Sequence, residues 1–198
     1  MLGRLRARYE AAMQPVGKGL GKVGFTPNMI STLSLIIALL AGVAYANGEM
    51  VVGALGLLAS GATDMLDGAV ARATGAVTKF GAVYDPVLDR YAEFAVLFGM
   101  GFSGVVAWAW VVFALCGMVI ASYARARAES AGGLESCRVG IAERQEKILL
   151  LFVGSLLQPF ISLALPVAVL IVGILSHITV AQRLHFTLTH AKGTNINV

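Results

Sequence analysis

Cysteine, histidine and charge are all scarce in this chain. Two cysteines stand among 198 residues, Cys116 in an apolar run and Cys137 in a polar one. That is too few for a disulfide scaffold or a zinc site. Charged residues make up 13%, about half the share of a soluble domain, which excludes an ordinary soluble globular fold. The basic excess of +4 sits in a chain too apolar to stay solvated, so disorder and a nucleic-acid-binding tail are excluded as well. No cleavable signal peptide is expected, because Met1 to Gly24 lacks a continuous apolar stretch. The three histidines, His177, His185 and His190, read as helix-face or interfacial residues, since no pair of them falls near the acidic cluster described below.

What the chain has in abundance is apolar surface, 58% of its residues. At about 20 residues per membrane-spanning helix, there is room for six spans with short connections. The expected spans are 28–46, 50–73, 77–100, 103–126, 143–158 and 162–189, with Pro166 expected to bend the last. Thr26-Pro27-Asn28 reads as a helix start, with Thr26 as N-cap and Pro27 at the first helical position. Ahead of it, Leu2, Leu5, Tyr9, Met13, Val16 and Leu20 recur at steps of three and four between Arg4, Arg6, Arg8, Lys18 and Lys22. That pattern predicts an amphipathic helix lying on an anionic membrane face, which Pro15, Gly17, Gly19 and Gly21 are expected to break near its end. The predicted fold is all-α and integral to the membrane: a single domain over 1–198, with an N-terminal interfacial helix at 1–24 and a six-helix transmembrane bundle at 28–189. If the spans alternate, every Lys and Arg falls on one side of the membrane or on a helix approaching it. The positive-inside rule then places both termini in the cytoplasm.

The four aspartates, Asp64, Asp67, Asp85 and Asp89, all lie within one window of 26 residues. A carboxylate in a span costs about 3 kcal/mol, so four of them facing lipid would be prohibitive. They must face an interior. Asp64 and Asp67 are one turn apart, as are Asp85 and Asp89, and a short turn makes their helices antiparallel. Three readings fit: a salt-bridge network with Arg72, Lys79 and Arg90, a cation or proton path, or a metal site. Carboxylates without histidine or cysteine suit a hard divalent cation such as Mg²⁺ or Mn²⁺, with room for two ions. Gly61, Gly68 and Gly81 beside the aspartates would let a phosphate and its metals approach helix backbone, although glycine is also a common packing residue in membrane helices.

The constellation Asp64-x2-Asp67-Gly68-x2-Ala71-Arg72-x8-Gly81-x3-Asp85-x3-Asp89 resembles the signature of the CDP-alcohol phosphotransferase family at all eight of its fixed positions. The resemblance implies a membrane enzyme that moves a phosphatidyl-type group from a CDP-linked lipid to an alcohol and releases CMP. It implies that Asp64, Asp67, Asp85 and Asp89 hold two divalent ions and that Asp89 is the general base. It further implies that Asp67, Gly68, Ala71, Arg72, Thr78, Gly81 and Asn28 meet the nucleotide, and that the protein is a homodimer. The segments around Ser122–Glu129 and Gly140–Lys147 are similar to the branch that uses inositol phosphate, in which three basic residues bind its phosphate. The matching positions are Arg125, Arg144 and Arg183. Arg125 replaces a residue that is often lysine in that branch. Apart from any family, three arginines at helix ends on the side of an acidic site read as a receptor for a second anion, or as anchors to lipid headgroups. The expected donor is CDP-archaeol or CDP-diacylglycerol. Glycerol phosphate is the alternative acceptor, and a cation transporter is the competing reading of a different class.

Overall fold

A polypeptide in hydrocarbon must satisfy its backbone internally, and helix is the local solution for a chain this rich in Ala, Leu, Val and Gly. The computed structural model describes residues 13–191, and among them the chain is helical with no strand. The helices are α1 (residues 13–22), then α2 Pro27–Ala46, α3 Met50–Thr74, α4 Gly81–Phe102, α5 Trp108–Ser130, α6 Arg144–Leu157 and α7 Ala164–His190. They form two units that divide between Ser103 and Gly104.

In the first unit α2 packs on both α3 and α4. Thr26 caps α2 as its sequence predicts, its Oγ1 accepting the Met29 N–H at 3.3 Å, with Pro27 at the start of the helix. Small residues make the helix seams, because lipid gives no hydrophobic force between helices and close backbone approach has to. Gly42 on α2 and Gly99 on α4 touch so closely that a Cβ on either would strike the other helix's backbone. On the α3 side, the Ser34 hydroxyl donates to the Ser60 carbonyl oxygen and the Ser60 hydroxyl to that of Ser34, both at 2.9 Å. The second unit packs α7 against α5 and α6, with Val169, Val172, Ser176 and Thr179 buried along it.

Among the described residues four helices, α2, α3, α5 and α7, are long and apolar enough to cross a membrane, as befits a membrane protein. Two of the six expected spans fall short of that standard. Helix α4 carries Asp85, Asp89, Arg90 and Glu93, and α6 has 14 residues, about 21 Å of rise against a hydrocarbon core of about 30 Å.

Several boundaries also move. Helix α4 begins at Gly81, not 77, because the Thr78 hydroxyl accepts the Gly81 N–H at 2.9 Å and holds the preceding residues in a turn. Helix α5 begins at Trp108, after a turn through Gly104 at φ 74°, and extends to Ser130. Pro166 does not bend α7: it lies in the first turn, where a missing N–H costs nothing. Pro86 stands inside α4, between Asp85 and Asp89.

The leader helix is described only from residue 13, so Leu2, Leu5 and Tyr9 of its apolar stripe lie outside the described residues. Gly17, Gly19 and Gly21 are all helical. Two of them have a packing reason to be there. A Cβ on Gly17 would come 2.6 Å from the Ala69 carbonyl oxygen, and one on Gly21 would strike Thr74. The glycines therefore dock α1 on the second half of α3.

Candidate metal and nucleotide site

Helix α3 presents Asp64 and Asp67 from adjacent turns, and Gly75 ends it in the left-handed conformation at φ 68°. The chain reverses through 75–80, and α4 returns with Asp85 in its second turn. One oxygen from each of Asp64, Asp67 and Asp85 lies within 4.8 Å of the others. Three carboxylates so close repel one another unless protons or a cation intervene. A donor set of oxygen atoms alone suits a hard divalent cation. The fit is tested by Asp85, whose Oδ1 is buried and has no hydrogen-bond partner, as a ligand atom awaiting a metal would be.

Asp89 stands one turn beyond Asp85, outside this group of three, with its side chain 16% exposed. Its Oδ2 is 4.0 Å from the Arg90 guanidinium, which lies closer, at 2.8 Å, to Glu93 Oε1. Arg72 lies against Gly68, its Nη1 3.2 Å from where a Cβ would stand. Asn28, Thr78 and Gly81 come together although 50 residues separate them in sequence. A Cβ on Gly81 would lie 3.1 Å from Thr78 Oγ1 and 3.3 Å from Asn28 Oδ1. Ala71 is one turn beyond Asp67 and half-buried.

Ser31, Thr32, Tyr84 and Phe80 of this unit carry no signal in the motif. Ser31 donates to Asp67 Oδ2 at 2.7 Å, Tyr84 meets Thr32 at 3.0 Å and stacks on Phe80 at 5.1 Å. The available signal is the density of hydroxyls, Ser31, Thr32 and Ser34, in a span otherwise apolar.

In the second unit the three arginines are engaged with protein groups. Arg125 Nε donates to Glu129 Oε1 at 3.0 Å, and the same oxygen accepts the Cys137 N–H at 2.9 Å. Arg183 donates from Nε to the Val139 carbonyl oxygen at 3.0 Å and from Nη1 to that of Ala121. Ile141 N–H donates to Gln182 Oε1 at 2.9 Å. The connection 131–143 is therefore strapped to α5 and α7 by Glu129, Gln182 and Arg183. Arg144 opens α6, with its Nε buried. Both cysteines are free, and His177 is a packing residue, stacked on Phe113 at 4.5 Å.

An all-helical membrane protein with carboxylates from two antiparallel helices gathered for a divalent cation is the class that fold and site define. The CDP-alcohol phosphatidyltransferase family model matches residues 25–188, and the chain belongs to that family. It is 37% identical over 185 residues to the archaetidylinositol phosphate synthase of Pyrococcus horikoshii, covering 93% of this chain and 95% of that one. It is 36% identical over 216 residues to the phosphatidylinositol phosphate synthase of Mycobacterium marinum, covering 98% and 86%. Among solved structures, it is similar to the phosphatidylinositol phosphate synthase of Mycobacterium tuberculosis in complex with manganese and citrate, with a TM-score of 0.81, 30% identity and 92% of each chain covered. The same enzyme with CDP-DAG bound also matches at a TM-score of 0.81.

Proposed function

We propose that this protein transfers an archaetidyl or phosphatidyl group from a CDP-linked lipid to inositol phosphate, releasing CMP. The observation that carries the reading is the gathering of Asp64, Asp67 and Asp85 within a signature that matches the family at every fixed position. The synthase names of the relatives support inositol phosphate as acceptor.

In this reading the chain is one membrane domain crossing the bilayer six times, with α4 and α6 among the spans. Both termini and the active site face the cytoplasm, and the enzyme works as a homodimer. CDP-archaeol or CDP-diacylglycerol is the donor. Asp64, Asp67, Asp85 and Asp89 hold two Mg²⁺ or Mn²⁺ ions, which supply Lewis-acid stabilisation of the negative charge that builds on the reacting phosphates. Gly68, Ala71 and Gly81 leave room for the nucleotide, and Asn28, Asp67, Arg72 and Thr78 offer it polar contacts. Asp89 accepts the proton of the acceptor hydroxyl as its oxygen bonds to the lipid-linked phosphorus. The bond from that phosphorus to the CMP oxygen breaks, and CMP leaves with the electron pair. Arg125, Arg144 and Arg183 bind the acceptor's phosphate, Arg125 exchanging Glu129 for it.

The test is CMP release by the purified protein with Mg²⁺, a CDP-lipid and, separately, inositol phosphate, glycerol phosphate, inositol and serine. Release with inositol phosphate alone, abolished in Asp89→Asn and strongly weakened in Arg144→Ala, is the expected result. Release with another alcohol alone would keep the metal site and overturn the acceptor. No release with any, together with cation flux in liposomes, would turn the site into a transport path.

A further inference from the structure

Helix α2 contributes no carboxylate to the site and only Asn28 to the proposed nucleotide contacts, yet two consecutive residues on it brace both helices that carry the carboxylates. Ser31 is 4% exposed, and its hydroxyl is 2.7 Å from Asp67 Oδ2 and 3.3 Å from the Pro27 carbonyl oxygen. A hydroxyl has one proton to donate. The shorter contact, to a carboxylate, is the stronger bond and takes it. Thr32 spends its own proton on the Asn28 carbonyl oxygen at 2.8 Å. Its 3.0 Å contact with Tyr84 is therefore one in which the Tyr84 hydroxyl donates and Thr32 accepts. The pair thus donates to α3 at Asp67 and accepts from α4 next to Asp85.

We propose that Ser31 is the positioning residue of the divalent-cation site. A lone carboxylate rotates about its Cβ–Cγ bond. With one oxygen held by Ser31, Asp67 is fixed in the orientation in which it meets Asp64 and Asp85. Groups that hold a ligand carboxylate tune metal affinity, and losing one typically costs about 10–100-fold. The Thr32–Tyr84 contact ties α4 to the same helix one residue from Asp85, so α2 braces the carboxylates from both sides. The inference deepens the proposed function and rests on its reading of the carboxylates as a cation site.

The experiment is titration of the purified full-length protein in detergent with Mn²⁺, without lipid or acceptor, following free Mn²⁺ by electron paramagnetic resonance. Ser31→Ala should bind Mn²⁺ about tenfold more weakly than wild type. The Mn²⁺ concentration for half-maximal CMP release should rise in proportion, and turnover at saturating Mn²⁺ should stay within about twofold. Ser31→Thr, which keeps the donor, should restore affinity. Ser31→Cys, a poor donor of similar size, should fall between and serves if the alanine variant fails to fold. Ser34→Ala, a buried serine on the same helix whose partner is Ser60, should leave Mn²⁺ binding unchanged. Wild-type affinity in both Ser31→Ala and Ser31→Cys would overturn the inference while leaving the cation site intact. An equal loss in Ser34→Ala would also overturn it, since the effect would then belong to helix packing. A wild-type protein that binds no Mn²⁺ would overturn the cation site and the inference together.

Discussion

At the scale of single residues, the site stores repulsion. Asp64, Asp67 and Asp85 place three oxygens within 4.8 Å, and Asp85 holds one of its oxygens buried with no hydrogen-bond partner. Asp85→Asn should therefore separate two properties. In chelator the variant should melt at a higher temperature than wild type, because one of three crowded acids is gone. On addition of Mn²⁺ it should gain less stability than wild type, and CMP release should fall by about a hundredfold or more. Thermal melts with and without metal, beside the activity assay, would check both halves. The carboxylates were legible in the sequence because an acid in an apolar span is expensive and must have a reason to be there. Ser31 was not, because a hydroxyl in such a helix ordinarily bonds back to the carbonyl four residues earlier, as Thr32 does here. Only the third dimension shows that Ser31 also faces Asp67.

At the scale of helices, the fold depends on close approach between small residues. A Cβ on Gly17 would stand 2.6 Å from the Ala69 carbonyl oxygen, and backbone cannot swing away as a side chain can. Gly17→Leu should lower stability by about 1–3 kcal/mol, read by thermal unfolding in detergent, whereas Gly19→Leu, with nothing near its would-be Cβ, should be close to neutral. The apolar runs made four of the six helices after the leader legible to within two residues at both ends. They misplaced α4 and α5, because hydropathy does not distinguish a helix from the apolar turn ahead of it. Thr78, whose hydroxyl caps Gly81, and Gly104, with its positive φ, decide those starts by hydrogen bonding and backbone conformation. The glycines of the leader read as helix breakers because composition does not reveal a partner helix.

At the scale of the whole molecule, the distribution of charge predicts orientation. A protease-cleavable tag at either end should be cut in inverted membrane vesicles and protected in right-side-out ones. Acceptor choice should follow the second unit: Arg144→Ala should raise the inositol phosphate concentration needed for half-maximal rate by about tenfold or more while leaving Mn²⁺ affinity unchanged, since a charged hydrogen bond is worth about 1.5–3 kcal/mol. The arginines themselves were legible as candidates for an anion receptor. Their present partners were not, because Glu129, Val139 and Ala121 are brought to them by the fold of the 131–143 connection.

That connection has one more consequence. Cys137 within it has 0% exposure, and its N–H is tied to Glu129, while Cys116 lies mid-helix on α5, a helix long and apolar enough to cross a membrane. In an intact bilayer a water-soluble maleimide should find neither thiol. Labelling of Cys137 would count the moments when the loop lifts away, so the unmodified protein carries its own clock for that motion.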